Sequence, residues 1–434
     1  LSILVRALLR RLLLPLIGLA LLGALPAGAD AAQHGPCIAG TSGGPTCTIW
    51  TGKVLYVDDG DTVHVKVGSR TEHVRITGIQ AMELTNYNAR ARAGQCHGVE
   101  AADRLDQLVK MAHGQVRLAA QDHTSASRHR PLRSVALKRN GRWADVGRTL
   151  LREGLVLWMP NRVEWAWNPQ YAIYVEQAQA AHLGLWNTAA CGDGPDQAAP
   201  IKLWVNWKSD SSDAGDPDGE WVRIRNLDPV NPLALGGWWL RDSGLRQYRF
   251  PAGTTIAPGA LLTLYVGGGF DDETNLYWGL ETPVFDNVDR DFQMGDGAYL
   301  FDPQGDMRAW MTYPCRTTCA DPNANAFELV VKARGTEWVG VRNVSQTPVG
   351  LEGYRLTAHG HVYAFDANSV LQPGELLKVY TQRDQDRDRP LIKGWSQFNA
   401  ILPNGGGSAR LSTFTDSVLA CVAWGDGTCA GNDS

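Results

Sequence analysis

What this sequence lacks narrows it first. Beyond Leu25 no stretch is apolar enough to span a bilayer, which excludes a multi-span helical membrane protein. No two histidines stand at H-x-x-x-H or comparable spacing, so His64, His73, His97, His123 and His129 read as solvated or structural rather than as ligands. Cys315 and Cys319 have no second cysteine pair nearby, which argues against structural zinc. Helix signals almost vanish beyond residue 200, where short β runs alternate with Gly, Pro and Asp turns.

What is present points to export. Arg6, Arg10 and Arg11 precede an apolar run from Leu12 to Leu25, then A-x-A steps at Ala27/Ala29 and Ala29/Ala31. Residues 1–31 therefore read as a secretory signal peptide, with a mature, secreted, extracellular chain starting near Asp30–Gln33 and no membrane span after its removal. All 8 cysteines lie in that mature part, an even number suited to disulfides in an oxidising compartment. Cys37–Cys47, Cys96–Cys191, Cys315–Cys319 and Cys421–Cys429 are reasonable pairs, although spacing does not fix connectivity. Charge is unevenly spread. Residues 33–195 carry 18 Lys/Arg against 14 Asp/Glu, or +4, while residues 196–434 carry 20 against 30, or −10. The first part has the sign that attracts a polyanion.

The stretch from Tyr56 to Glu83 organises the first part. Its runs Lys53–Val57, Val63–Val67 and His73–Ile79 read as strands, with apolar residues alternating at Val63, Val65 and Val67. Asp59-Gly60-Asp61-Thr62 divides the first two, and Asp-Gly between alternating strands signals a hairpin in which Gly accepts a positive φ. Taken alone, that is a structural turn. Arg75 and Glu83 add to it a guanidinium and a second carboxylate. An acidic metal ligand, a planar cation for phosphate and a base for water are the parts that phosphodiester hydrolysis needs.

On these residues the stretch resembles the core of the staphylococcal nuclease (thermonuclease) family. Asp61, Arg75 and Glu83 fall at matching positions. The family's second metal-binding Asp is Gln80 here, and its usual Pro is Met82. The resemblance continues through "RSVALKRNGRWADVGRTLLREGLV" and "HLGLWN", covering residues 48–188. Along it, helices are expected over Val99–Ala112, Arg148–Gly154 and Pro169–His182. Strands are expected over Gln115–Ala120, Arg133–Lys138 and Arg142–Val146, the last two joined at Asn140-Gly141. The fold implied is an OB-type β-barrel with helices. The resemblance implies cleavage of DNA and RNA, favouring unpaired regions and leaving 3′-phosphates. It implies Asp61 and Gln80 as ligands of Ca²⁺ or another divalent cation, helped by the Ala81 carbonyl. Glu83 would be the general base, and Arg75 and Arg133 the phosphate clamps. Arg130 is the alternative to Arg133, and Asp59 either makes the turn or backs the ligands. Gln80 removes one negative charge from the metal shell, so weaker, millimolar-range cation binding is expected. The opposing expectation is a protein that binds nucleic acid and cuts it poorly.

A linker, 189–200, leads to two copies of one β unit at 201–319 and 327–430. "EWVRIRNLDPVNPLALGGWWLRDSG" recurs as "EWVGVRNVSQTPVGLEGYRLTAHG", aligning Glu220 with Glu337, Asn226 with Asn343, Gly237 with Gly353 and Pro258 with Pro373. This pattern resembles lamin-tail domains, immunoglobulin-like β-sandwiches that imply an accessory module of unspecified ligand. The acidic loop Ser209–Glu220 fits no calcium-loop spacing and reads as solvated, and Glu220 and Glu337 read as structural. The whole is expected to be multidomain: an α+β barrel followed by two immunoglobulin-like sandwiches.

Overall fold

The computed structural model describes residues 32–84, 95–191, 199–207, 219–289, 291–315, 323, 325–366, 368–382, 389–413 and 418–429. The leader, most of the loop after Glu83, most of the acidic loop before Glu220, and Cys319 lie outside the described residues. Among the described residues no helix is long and apolar enough to cross a membrane.

The first unit is a closed ring of strands. Its elements are β1 (Gln33–Pro36), β2 (Thr46–Asp59), β3 (Thr62–Val67), β4 (Arg70–Ile76), β5 (Gly78–Ala81), α1 (Gly98–Met111), β6 (Gln115–Ala120), β7 (Ala126–Ser127), β8 (Arg130–Arg139), β9 (Arg142–Asp145), α2 (Val146–Arg152), β10 (Val156–Met159) and α3 (Asn168–Ala180). The sheet runs β2-β3-β4-β8-β6, and β6 pairs again with β2 to close it. The long β2 serves both edges, pairing β6 through residues 48–53 and β3 through residues 53–59. Gly52 sits where the two pairings meet, and a Cβ there would strike the Lys66 carbonyl. Val63, Val65 and Val67 point inward as their alternation predicts, beside Val74, Ile76, Val116, Leu118, Val135 and Leu137. The β8–β9 hairpin turns at Asn140 and Gly141, both at positive φ, as a two-residue primed turn requires.

Helix α1 lays Ala101, Leu105, Leu108 and Val109 against the ring. Arg104 donates to both Glu153 carboxylate oxygens at 2.6 and 2.7 Å, tying α1 to the end of α2. Disulfides join Cys37 to Cys47, Cys96 to Cys191 and Cys421 to Cys429, and among the described residues no cysteine is free.

The two later units repeat one another strand for strand. In the first, one sheet orders Ile201–Asn206, Trp221–Asn226, Leu261–Tyr265 and Asn275–Tyr277, and the other orders Gln247–Arg249, Trp239–Arg241, Asp296–Phe301 and Met307–Tyr313. In the second, the equivalents are Phe327–Lys332, Trp338–Asn343, Leu376–Gln382 and Ile392–Gln397, then His361–Ala364, Arg355–Ala358, Gly406–Ser412 and Val418–Gly425. The repeated residues do the same work in each copy. Buried Glu220 Oε2 accepts the amides of Val284 and Phe285 at 2.7 and 3.3 Å, and buried Glu337 Oε2 accepts those of Ile401 and Leu402 at 3.1 and 3.2 Å. Asn226 Nδ2 donates to Asn231 O, and Asn343 Nδ2 to Thr347 O, each at 2.8 Å. Glu220 and Glu337 are structural, as the repeat suggested.

The first sandwich packs directly on the barrel. Strand Asp296–Phe301 is buried at every residue. Ala298 and Leu300 enter the sandwich's own core, while Tyr299 and Phe301 join the core of the barrel with Trp239 and Met307. A strand covered on both faces reads as a continuous rather than an alternating apolar run. Trp186, fully buried, meets Trp310 and Tyr299 at ring-centroid distances of 5.3 and 6.0 Å.

Candidate functional site

The site begins with a tight hairpin. Asp59 pairs with Thr62, leaving Gly60-Asp61 as the loop. Gly60 was expected to supply a positive φ, but it is not among the glycines at positive φ. Its role is close approach: a Cβ there would lie 2.6 Å from the Ala101 Cβ and 2.8 Å from the Ala81 Cβ. The turn is thereby pressed between α1 and β5. Asp59 Oδ1 accepts the Asp61 amide at 2.9 Å, so Asp59 does make the turn.

Asp61 is thus fixed and nearly buried, at 3 % exposure. Its Oδ2 accepts the Ala81 amide at 2.7 Å and its Oδ1 the Thr62 hydroxyl at 3.0 Å. Arg75 lies opposite Thr62 across β3–β4 and reaches the same carboxylate, its NH2 3.1 Å from Asp61 Oδ2. The guanidinium also donates to Gln80 Oε1 and Ile79 O at 2.8 Å and to Ile76 O at 2.5 Å. Gln80 Nε2 in turn donates to Ala81 O at 3.0 Å. The amide therefore accepts from Arg75 and donates to a carbonyl at once, which an ionised carboxylate at position 80 cannot do. Burial, and then the Asp61 charge, push the Asp59 carboxyl up to about 7.

Asp61, Arg75 and Gln80 are brought together. Glu83 lies beyond them, half-buried, its amide donating to Gln95 Oε1 at 3.0 Å. It lines a cleft of about 630 Å³ with Gln95, Trp239, Arg241, Arg249 and neighbouring residues. Trp239, Arg241 and Arg249 belong to the first sandwich, so one wall of the cleft comes from a different unit. Arg241 is almost fully buried, with NH1 3.7 Å from Met82 Sδ beside Glu83. Sequence reasoning missed these sandwich residues, because nothing local ties position 241 to position 83.

Arg133 is not brought to Asp61. On β8 it pairs with core residue Ile76, whereas Leu132 pairs with Arg75. Alternation turns Arg133 to the opposite side of the sheet from Arg75. Its guanidinium donates to the carbonyls of Leu132, His123 and Ser125 at 2.6, 2.8 and 3.2 Å and lies over the Trp50 ring. Arg130, in step with Leu132, is the one that arrives: its NH1 donates to Thr62 Oγ1 at 3.1 Å, next to Asp61.

The donors gathered here are the carboxylates of Asp59 and Asp61, the Gln80 amide oxygen and the Ala81 carbonyl. All are hard oxygens, a set that suits Ca²⁺ or a similar divalent cation and not a thiophilic one.

The Lamin Tail Domain family model matches residues 205–315, and that segment is a lamin-tail domain. No curated protein matches the chain.

Proposed function

We propose that this protein is a secreted, metal-dependent nuclease hydrolysing phosphodiester bonds in DNA and RNA, with preference for unpaired regions and 3′-phosphate products. The observation that carries the reading is the convergence of Asp61, Arg75 and Gln80 within hydrogen-bond distance on a rigid hairpin, with Arg130 beside them. The closed strand order, first-second-third-fifth-fourth, supports the OB-type barrel that the sequence suggested. The +4 charge of this part supports a polyanionic substrate. The disulfides support an exported chain. The second sandwich, with its matching strand order and matching Glu and Asn, reads as a further lamin-tail domain.

Asp61 and Gln80 would hold a hard divalent cation, with Asp59 and the Ala81 carbonyl in reach. Such an ion polarises a phosphoryl oxygen and acidifies water. The chain supplies the remaining functions. Arg75 sits where a phosphate oxygen replaces Gln80 Oε1 as its acceptor, and Arg130 brings a second guanidinium from the neighbouring strand. Two planar cations stabilise the charge that builds on the phosphoryl oxygens. Glu83, at the cleft, takes the proton of the attacking water. The sandwich wall, with Arg249, flanks the strand on its way in.

One observation favours a second reading, nucleic-acid binding with little turnover. Arg75 already satisfies the Asp61 and Gln80 oxygens, neutralising the place a cation would take. Assays of the full chain on single-stranded DNA and RNA with Ca²⁺, Mg²⁺ or EDTA, beside Glu83→Gln, separate the two. Cation-dependent cleavage lost in Glu83→Gln establishes the nuclease. Retained binding with no cleavage under any cation overturns it.

A further inference from the structure

The face of β3 and β4 that carries Thr62 and Arg75 also carries, one outward-facing pair further along the strands, a second group of potential ligands. His64 and His73 stand nine positions apart in the sequence, yet β3 and β4 place them directly opposite each other.

 A separation that matches no ligand spacing along the chain hides a direct cross-strand pair. The rings stack at a centroid distance of 4.2 Å, and Tyr56 stacks on the far side of His64 at 4.1 Å. Register irregularities in β2 between Val54 and Tyr56 and between Val57 and Asp59 accompany the placement of Asp58 beside both. Asp58 Oδ2 lies 2.9 Å from His64 Nε2 and 2.6 Å from His73 Nε2. His73 Nε2 is itself shielded from solvent, and its approach to Asp58 lacks hydrogen-bond geometry.

We propose that Asp58, His64 and His73 form a binding site for a late first-row transition-metal ion, of the Zn²⁺, Ni²⁺ or Cu²⁺ class. One ligand atom from each of the three lies within 4.8 Å of the others. A tetrahedral ion with bonds of about 2.0–2.1 Å sets its ligand atoms roughly 3.3 Å apart, so small side-chain rotations close the site. Two imidazoles and a carboxylate select borderline metals, unlike the all-oxygen set around Asp61. The Asp58, His64 and His73 side chains are 20, 19 and 40 % exposed, so the cluster lies at the surface, where water can complete an ion's shell. The stack with Tyr56 holds the His64 ring in place before the ion arrives. The inference does not depend on the nuclease reading, because none of the three residues takes part in it.

The test uses the full chain without an affinity tag, under non-reducing conditions and after chelator treatment. Zn²⁺ is titrated in competition with a chromophoric chelator, and Cu²⁺ is followed by electron paramagnetic resonance. About one equivalent should bind with micromolar or tighter Kd. The Cu²⁺ spectrum should carry the splitting of two equivalent-type imidazole nitrogens. His64→Phe keeps a ring in the stack and removes the ligand nitrogen, and should weaken Zn²⁺ binding by roughly a hundredfold, as should Asp58→Asn. Failure to bind Zn²⁺ or Cu²⁺ at about 0.1 mM overturns the proposal. So does binding that His64→Phe leaves intact, or a Cu²⁺ spectrum without nitrogen splitting. The last two do not require any variant to be compared for activity, and unaltered circular dichroism of His64→Phe excludes misfolding as the cause of a loss.

Discussion

The Arg75 guanidinium lies 3.1 Å from the Asp61 carboxylate, and the two side chains are only 6 and 5 % exposed. Each is the other's nearest opposite charge in a place with little water. Removing one member of such a pair strands the other, at a cost of about 3–5 kcal/mol. Arg75→Ala should therefore lower the melting temperature of the barrel sharply, as well as abolishing turnover. A cation at Asp61 replaces the missing charge, so millimolar-range Ca²⁺ should raise the melting temperature of Arg75→Ala more than that of the parent. Calorimetry with Ca²⁺ and with EDTA checks it. No shift in either protein would mean that no cation binds beside Asp61.

Arg130 and Arg133 should fail in different ways. Arg133 spends its guanidinium on three carbonyls and the Trp50 ring, and burial pushes its pKa down. Arg133→Ala leaves those carbonyls without their donor and should cost about 2–4 kcal/mol of stability. Arg130 makes a single contact at the site, to the Thr62 hydroxyl. Arg130→Ala should leave the melting temperature nearly unchanged and lower kcat by roughly 10²–10³. Melting curves and single-turnover cleavage of one oligonucleotide, measured on both variants, decide which arginine serves chemistry.

Those two arginines show where the sequence stops being legible. The hairpin around Gly60, the inward valines of β3 and the helices were readable because their signals are local and periodic. The choice between Arg130 and Arg133 turns on strand parity, and a shift of one residue moves a side chain to the other face of the sheet. The pairing of His64 with His73 is a matter of register between β3 and β4, which spacing rules for helices do not cover. The repeat in the second half was legible because Glu220 and Glu337 stand in the same local motif. That Tyr299 and Phe301 serve the barrel's core was not, since an apolar residue does not reveal which of two neighbours covers it.

That shared core carries a prediction about domain autonomy. Trp186 is fully covered by Trp310 and Tyr299 together with the barrel, and Asn168 Nδ2 donates to Phe292 O at 2.9 Å across the same boundary. Contacts between the two sandwiches are more polar: Arg225 meets Glu352 at 2.8 Å, and Arg355 reaches Asn206 at 3.1 Å. The barrel and the first sandwich should melt in one transition, with the second sandwich separable from them. Trp186→Ala should cost about 3–5 kcal/mol and lower that joint transition alone. Differential scanning calorimetry of the full chain and of Trp186→Ala reads both. Independent melting of the barrel would refute the coupling.

A buried acid in the first sandwich should make its stability fall as pH rises. Burial pushes the Asp242 carboxyl up to about 6, despite buried Arg241 next to it. Asp296, fully buried, is raised further by burial and by the charges of Asp242 and Asp286. A carboxyl raised in the folded state holds its proton more tightly there than in the unfolded chain. Its stabilising contribution is complete below about pH 4 and is lost as pH climbs through about 6, a change on the order of 2–3 kcal/mol at the scale of 1.36 kcal/mol per pKa unit. Asp228 and Asp272, whose pKa values are lowered by hydrogen bonds, work in the opposite sense, so the raw profile mixes both. The difference between parent and Asp242→Asn isolates the one group, because Asn keeps an oxygen to accept the Arg246 amide and never ionises. The advantage of Asp242→Asn in melting temperature should be small at pH 4 and grow until about pH 7. A difference that stays flat across that range would mean that Asp242 ionises in the fold as readily as in the unfolded chain.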